Sequence, residues 1–375
     1  MRENLLGETW LPRLRRMNFF MLGCVALVLL IGLSFIASAT SRTGVGSSSF
    51  VARQTLFILL GCVAFIALQG VSYLSILRYA TWLYVLGVLL LCGVLRTRPV
   101  NGAQKWFDLY FLKLQPSELM KPILILALAH YLMYRDSYKK LAGLAVPVIL
   151  ALAPMALILK QPDLGTALAI VPVVVVMLFV AGARVWHLLM MALLGMSGLV
   201  GMWFTVMHDY QKKRVWAWLH PDLYQLTEAW QKLRAEVAIG SGGFWGKGWG
   251  HSEQVTVLPE AHTDFIFAII CEEGGFVIAA LLLLLMSLIV LSGLGVAAKT
   301  REPAGRLIAA GCVTMFCSQA LINSSVALGL LPTTGLTFPF VSYGGSSVIS
   351  SFVCLGLLIN VGWQQEPVLA REDFA

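Results

Sequence analysis

Apolar runs of roughly 18 residues recur from one end of this 375-residue chain to the other. Each is about long enough to cross a bilayer as a helix. The chain is 58% hydrophobic and 12% charged, about half the charge of an average soluble domain, which carries roughly 25%. Its mean hydropathy is +0.81. These features predict an all-α, polytopic integral membrane protein. Ten transmembrane helices are expected, at about 17–39, 54–71, 79–95, 119–134, 142–160, 164–181, 185–206, 264–297, 305–328 and 342–363. A single membrane domain then spans 1–375, with a large loop, 207–263, between helices seven and eight.

Charge sets the expected orientation. With the N-terminus cytoplasmic, the short inner segments collect thirteen of the 27 Lys and Arg, among them Arg13, Arg15, Arg16, Arg78, Arg184, Lys299, Arg301 and Arg306. The outer face carries fourteen, but six lie in the long 207–263 segment, which the positive-inside rule does not count. Both termini are therefore expected to be cytoplasmic. The net charge of +8 does not indicate nucleic acid, because no basic segment is interleaved with base-stacking aromatics; it suits topology and contact with anionic membrane lipids. Ala37-Ser38-Ala39 resembles a signal-peptidase site, but the preceding apolar run is too long for a signal peptide, so an uncleaved first helix is expected. All seven cysteines fall within expected spans and read as buried apolar residues, with no disulfide framework or thiolate metal site.

Polar residues concentrate in the outer loops. Leu258–Phe276 carries Glu260, Asp264, Glu272 and Glu273 into the start of a hydrophobic helix. Ionised groups in a bilayer are costly and face a cavity, a partner charge or chemistry. Asp264 at a helix start could be no more than an acid favoured by the helix dipole; Glu272 lies eight residues, about two turns, deeper. Glu118 and Lys121 are three apart on one helical face and suit an ion pair lining a cavity, with a capping role for Glu118 as the plain alternative. Asp163, in Gln161-Pro-Asp-Leu-Gly165, reads as a turn or helix cap. Arg96, Arg98, Lys105, Lys113 and Lys121 crowd one outer loop and the helix after it. That cluster suits either a solvated loop or an anionic substrate.

Gly240–Gly250 is glycine-rich around Lys247. It lacks the Gly and Ser or Thr positions of a Walker A motif, and is either a structural turn or a wrap for a lipid-linked phosphate. Thr334–Ser347, with Ser346 and Ser347, brings hydroxyls and glycines to the same boundary, as backbone lining a polar cavity would. In 207–263, Leu223, Leu226, Trp230, Leu233 and Val237 fall at helical spacing. They predict an amphipathic helix, lying on the membrane surface or packed on the bundle.

The strings NGAQKWF, QPSELMK, QPDLGTA, SGGFWGKG, LPEAHTDFIFAIICEEGGF and GLLPTTGLTFPFVSYGGSS together resemble the SEDS family (shape, elongation, division and sporulation) over nearly the whole chain. The short N-terminal tail and the QPDLGTA wording resemble the elongation member more than the division member. The resemblance implies a peptidoglycan glycosyltransferase of the bacterial cytoplasmic (inner) membrane. Such an enzyme polymerises lipid II at the outer face into a β-1,4 glycan carried on undecaprenyl diphosphate. It implies a class B penicillin-binding protein, the transpeptidase, as partner within the elongation machinery. The family's essential acid falls on Asp264. A sugar 4-hydroxyl needs a base to attack at neutral pH, and a partly desolvated carboxylate can supply one. The diphosphate leaving group needs cations. Lys105, Lys121 and Lys247 are the expected ones, and a divalent ion, Mg2+ or Mn2+, could join them. Trp106, Glu118, Glu272, Ser346 and Ser347 complete the expected substrate-binding set. The alternatives are a lipid II flippase, with acids and cations along a path through the bilayer, and a scaffold that docks the penicillin-binding protein.

Overall fold

The computed structural model of the chain describes residues 17–41, 47–97, 104–108, 113–133, 141–205, 207, 209–224, 229–258 and 261–364. Glu260, Leu226, Glu228, Arg98, the Asn101–Ala103 part of the NGAQKWF string and both chain ends lie outside these residues. The α-helices are α1 (Phe19–Ser41), α2 (Ser47–Gln69), α3 (Tyr73–Arg78), α4 (Ala80–Val94), α5 (Pro116–Leu132), α6 (Ala145–Lys160), α7 (Leu164–Ala181), α8 (Val185–Thr205), α9 (Asp209–Leu219), α10 (Trp230–Gly242), α11 (Ile266–Lys299), α12 (Pro303–Ala327) and α13 (Gly345–Trp363). One two-residue antiparallel pair, β1 (Phe107–Asp108) with β2 (Lys113–Leu114), tightens the approach to α5.

Among the described residues, seven helices, α1, α2, α7, α8, α11, α12 and α13, are long and apolar enough to cross a membrane. The other three expected spans are occupied by α4, α5 and α6, of 15, 17 and 16 residues. At about 1.5 Å per residue these fall short of a hydrocarbon core of about 30 Å. The boundaries have local causes. Asp163 caps α7 by accepting a bond from Thr166 N, and Gly182 ends it in the left-handed conformation.

The core sits around α12, which packs against α5, α7, α11 and α13. In α12 and α13, 78% of the apolar window is buried, against 6% in α8, which leaves α8 as a peripheral helix open to lipid. Helices α5, α7, α11 and α13 all begin at the end of the bundle where α12 finishes: Gln115 bonds to Asp163 and Ser346, and Asn323 bonds to the Asp264 carbonyl.

α11 is two helices joined at Gly275, whose φ of 65° and ψ of −168° break the helical path. The break is repaired by the glycine-rich loop. In a continuous helix the Glu272 and Glu273 carbonyls would accept from Phe276 and Val277. Here Lys247 N and Gly248 N donate to those two carbonyls (2.9 and 3.0 Å), while Phe276 N and Val277 N donate to Gly243 O and Phe244 O (3.0 and 3.3 Å). The loop inserts its backbone between the two halves and leaves none of these four pairs unpaired. A Cβ at Gly275 would lie 2.3 Å from Gly246 N, and one at Gly246 2.1 Å from Glu273 O. Of the two roles open to this loop, the backbone geometry is that of the structural turn.

Of the amphipathic helix expected through Leu223–Val237, Leu226 lies outside the described residues. Pro221–Leu223 is a short 3-10 turn and α10 starts at Trp230. Leu223 and Val237 are exposed, and α10 buries Ala235, Ala238 and Gly242 against α11. Small residues win that face because the backbones approach too closely for leucine or valine.

Candidate active site at one end of the bundle

Asp264 stands two residues before the first residue of α11, in a turn, and not in the helix's first turn. Its position is fixed through the main chain. Three successive carbonyls are each held from a different place: His262 O by Tyr343 N (3.0 Å), Thr263 O by the Ser342 hydroxyl (2.6 Å) and Asp264 O by Asn323 Nδ2 (2.9 Å). Asn323 Nδ2 also donates to Leu336 O (2.6 Å), so α12's last turns tie the start of α11 to the 333–336 loop.

The Asp264 carboxylate reaches a narrow cavity of about 30 Å3, lined also by Arg214, Gln231, Asn323, Val326 and Thr333–Leu336. A space of that size admits a water- or hydroxyl-sized group and not a whole sugar, so a saccharide would lie across its mouth. Asp264 is half-buried and, among the described residues, is the only carboxylate in the lining and Arg214 the only cation. Arg214 Nη1 also donates to Thr333 O (3.4 Å). Thr334 Oγ1 and Asn323 Oδ1 are buried with no hydrogen-bond partner among the described residues. Buried polar atoms without partners are rare, and both residues line this cavity.

A second polar cluster adjoins this one. The Gln115 side chain donates to Asp163 (3.1 Å), and Lys105 Nζ stands 3.6 Å from the same carboxylate. The Ser346 hydroxyl accepts from Gln115 N (2.8 Å) and donates to Lys113 O (3.2 Å). The link between the clusters is close backbone packing. A Cβ at Gly165, in the first turn of α7, would come within 2.2 Å of Thr334 O. Ser347 bonds to Thr337 (2.6 Å), extending the polar lining along the same loop.

The remaining expected site residues lie apart from the cavity. Glu118 and Lys121 form an ion pair of 2.7 Å, both at most 5% exposed, and neither charged atom has a further hydrogen bond among the described residues. Ser350 donates to Glu118 O (2.8 Å). Trp106 is half-buried ahead of β1. Glu272 is fully buried and Lys247 bonds to it at 2.9 Å. Its other partners are the Ser252 hydroxyl and the main-chain N–H groups of Glu253 and Gln254. That hydrogen bond to Glu272 holds the Lys247 ammonium above its ordinary 10.5. Glu273 is bound by Ser38 (2.6 Å) and Ser252 N (3.3 Å). Glu272 and Glu273 organise the Gly246–Gln254 loop and show no surface to a substrate.

Each expected lysine is thus already committed to a carboxylate. The cation lining the cavity with Asp264 is Arg214, outside the expected set; its signal in the sequence is the Lys212-Lys213-Arg214 run in the outer segment. The described residues contain no group of three or more His, Cys, Asp or Glu able to hold a metal. Mg2+ is ordinarily held through one or two carboxylates together with substrate phosphates, and among the described residues of the cavity Asp264 is the carboxylate that would hold it.

A bundle of apolar helices with its buried charges and hydroxyls gathered at one end defines a polytopic membrane protein with a site at one membrane face. The profile of the family described as cell cycle protein, the FtsW/RodA/SpoVE group, matches residues 14–366. The chain belongs to this family, the SEDS proteins. It is 38% identical over 283 residues to stage V sporulation protein E of Bacillus subtilis strain 168, covering 74% of this chain and 76% of that one. It is 34% identical over 287 residues to the peptidoglycan glycosyltransferase MrdB of Escherichia coli K12, covering 76% and 77%. Among solved structures, a chain from a study of how a peptidoglycan synthase complex coordinates polymerization and crosslinking superposes with a TM-score of 0.80. The identity is 32%, over 93% of this chain and 98% of that one.

Proposed function

We propose that this chain, a peptidoglycan glycosyltransferase of the SEDS family, polymerises lipid II at the outer face of the cytoplasmic membrane with Asp264 as general base. The observation that carries the reading is the presence of Asp264 and Arg214 in the lining of one narrow cavity. Asp264 takes the proton of the acceptor 4-hydroxyl as its oxygen bonds to the anomeric carbon of the donor. The bond from that carbon to the diphosphate breaks in the same displacement, and undecaprenyl diphosphate leaves. An α-linked donor gives a β-1,4 product by inversion. Arg214 neutralises charge building on the diphosphate, where a guanidinium can bind two oxygens at once. Thr334 Oγ1 and Asn323 Oδ1 position the hydroxyl group that enters.

The three shorter helices α4, α5 and α6 complete ten spans in this reading, so both termini are cytoplasmic and the Asp264 end faces outward. The chain serves cell elongation and rod shape, beside a class B penicillin-binding protein that cross-links its product.

The test is gel-resolved polymerisation of purified lipid II by the full-length protein, with and without the partner and Mg2+ or Mn2+. Asp264→Asn is expected to lower the rate at least about a hundredfold, the low end of what a general base contributes. Arg214→Ala is expected to lower it by about the same factor, as removal of one transition-state donor does. Glycan made by folded Asp264→Asn at a near wild-type rate would refute the assignment.

A further inference from the structure

A second and larger cavity lies at the far end of the bundle from Asp264. It encloses about 410 Å3 between the start of α1 and the last turns of α11 and α13, and its lining includes Asn18, Ser292, Val296, Lys299, Ile359 and Trp363. That volume is in the range of ordinary small-molecule sites, roughly 300–1,000 Å3.

Its polar side chains keep hydrogens free to donate. Asn18 Oδ1 is used to accept from Met21 N (3.1 Å), holding the first turn of α1. Asn18 Nδ2 donates to Ser292 Oγ (2.6 Å), which leaves its second N–H and the Ser292 hydroxyl hydrogen to donate elsewhere. Lys299 adds an exposed ammonium, and no described carboxylate lies within ion-pair distance of it. No Asp or Glu lines the cavity among the described residues. The remaining wall is apolar: Val296, Ile359 and the Trp363 ring, whose Nε1 is turned away to Gln69 Oε1 (3.2 Å). Arg78, Arg301 and Arg306 come at the same end of the bundle, with Glu302 as their nearby acid, acting on Tyr73.

A lysine and side-chain N–H and O–H groups with no carboxylate among the described lining residues suit an anion, and an apolar wall at a helix end beside Lys and Trp is the environment of a membrane interface. We propose that this cavity binds the phosphate of an anionic glycerophospholipid from the leaflet opposite the Asp264 cavity. Lys299, Asn18 and Ser292 hold the phosphate, while Val296, Ile359 and Trp363 receive the first carbons of the acyl chains.

The experiment is thermal unfolding and native mass spectrometry of the full-length protein in detergent. The probes are phosphatidylglycerol, phosphatidylethanolamine and free glycerol 3-phosphate. Phosphatidylglycerol should raise the unfolding midpoint and be retained, and Lys299→Gln should weaken its apparent affinity about fivefold, the contribution of one basic residue near a membrane surface. Lys299→Arg should keep the response. Gly295→Leu should abolish it with all charges intact, because a Cβ there meets no atom within 4 Å and a longer side chain would grow into the cavity. Equal retention by the wild type, Lys299→Gln and Gly295→Leu would overturn the proposal. So would equal stabilisation by phosphatidylethanolamine, or an equal response to glycerol 3-phosphate, which would mark a soluble-anion site. Glycan synthesis by the same variants should persist, which separates this proposal from the reading of Asp264.

Discussion

Glu272 accepts hydrogen bonds from Lys247, Ser252 and the main chain of Glu253 and Gln254 while exposing none of its own surface. Glu272→Ala would strand these donors at about 1–3 kcal/mol for each that stays buried. We therefore expect a loss of roughly 3 kcal/mol or more in unfolding stability and protease cleavage within 246–254, read by thermal unfolding and limited proteolysis. Glu272→Gln, which keeps the shape, should lose less. Lys247 is held above its ordinary 10.5, so its charged form is favoured by folding. That contribution is complete below the ordinary value and is lost only as the pH rises through the raised one, so Lys247 leaves loop docking unchanged through the neutral range. The Glu118–Lys121 pair follows another logic, because each partner is the other's only compensation. Lys121→Met alone should cost about 3–5 kcal/mol, and the double variant Glu118→Gln, Lys121→Met distinctly less, by the same unfolding measurement. Such roles were only half visible in the order of residues. The i, i+3 spacing announced the Glu118–Lys121 pair, but nothing local told Glu272, the centre of a loop's hydrogen bonds, from a substrate ligand.

Elements make the site by interrupting one another. The broken α11 borrows its missing bonds from the 243–248 loop, and that exchange sets the direction in which the first half of α11 approaches α12 and Asp264. Gly275→Ala and Gly246→Ala each place a Cβ within 2.3 Å of backbone at positive φ. Both should therefore prevent accumulation of folded protein, as read by size-exclusion in detergent, whereas Gly295→Ala, with open space around it, should not. Hydropathy located most helices within two or three residues because a bilayer imposes length and apolarity on any span. It could not reveal that one helix is broken, since a glycine inside an apolar run costs little in hydropathy and its φ is decided by what packs on it. The stretch around α10 misled for a related reason. Its leucines and valine have helical spacing, but the buried face is chosen by how closely α11 approaches, and that approach requires alanine and glycine.

For the whole molecule, the proposed orientation is testable by introduced cysteines. A cysteine at exposed Glu253 should react with a membrane-impermeant maleimide in spheroplasts, and one at exposed Arg301 only after permeabilisation; the reverse pattern would invert the topology. The order of the amino acids by itself determined a polytopic helical membrane protein, its family and the crowding of polar residues into the loops of one face. These follow from composition and local pattern, since the solvent preference of a span and the wording of a motif need no partner. Which of those polar residues share a cavity was decided only in the tertiary structure. Asp264 meets Arg214, Asn323 and Thr334 across separations of 50 to 70 residues in the chain, while Lys105, Lys121 and Lys247 are each taken by a carboxylate first. A charge is paired by whatever lies within a few ångströms of it, and only the packing of α7, α11, α12 and their loops sets those distances.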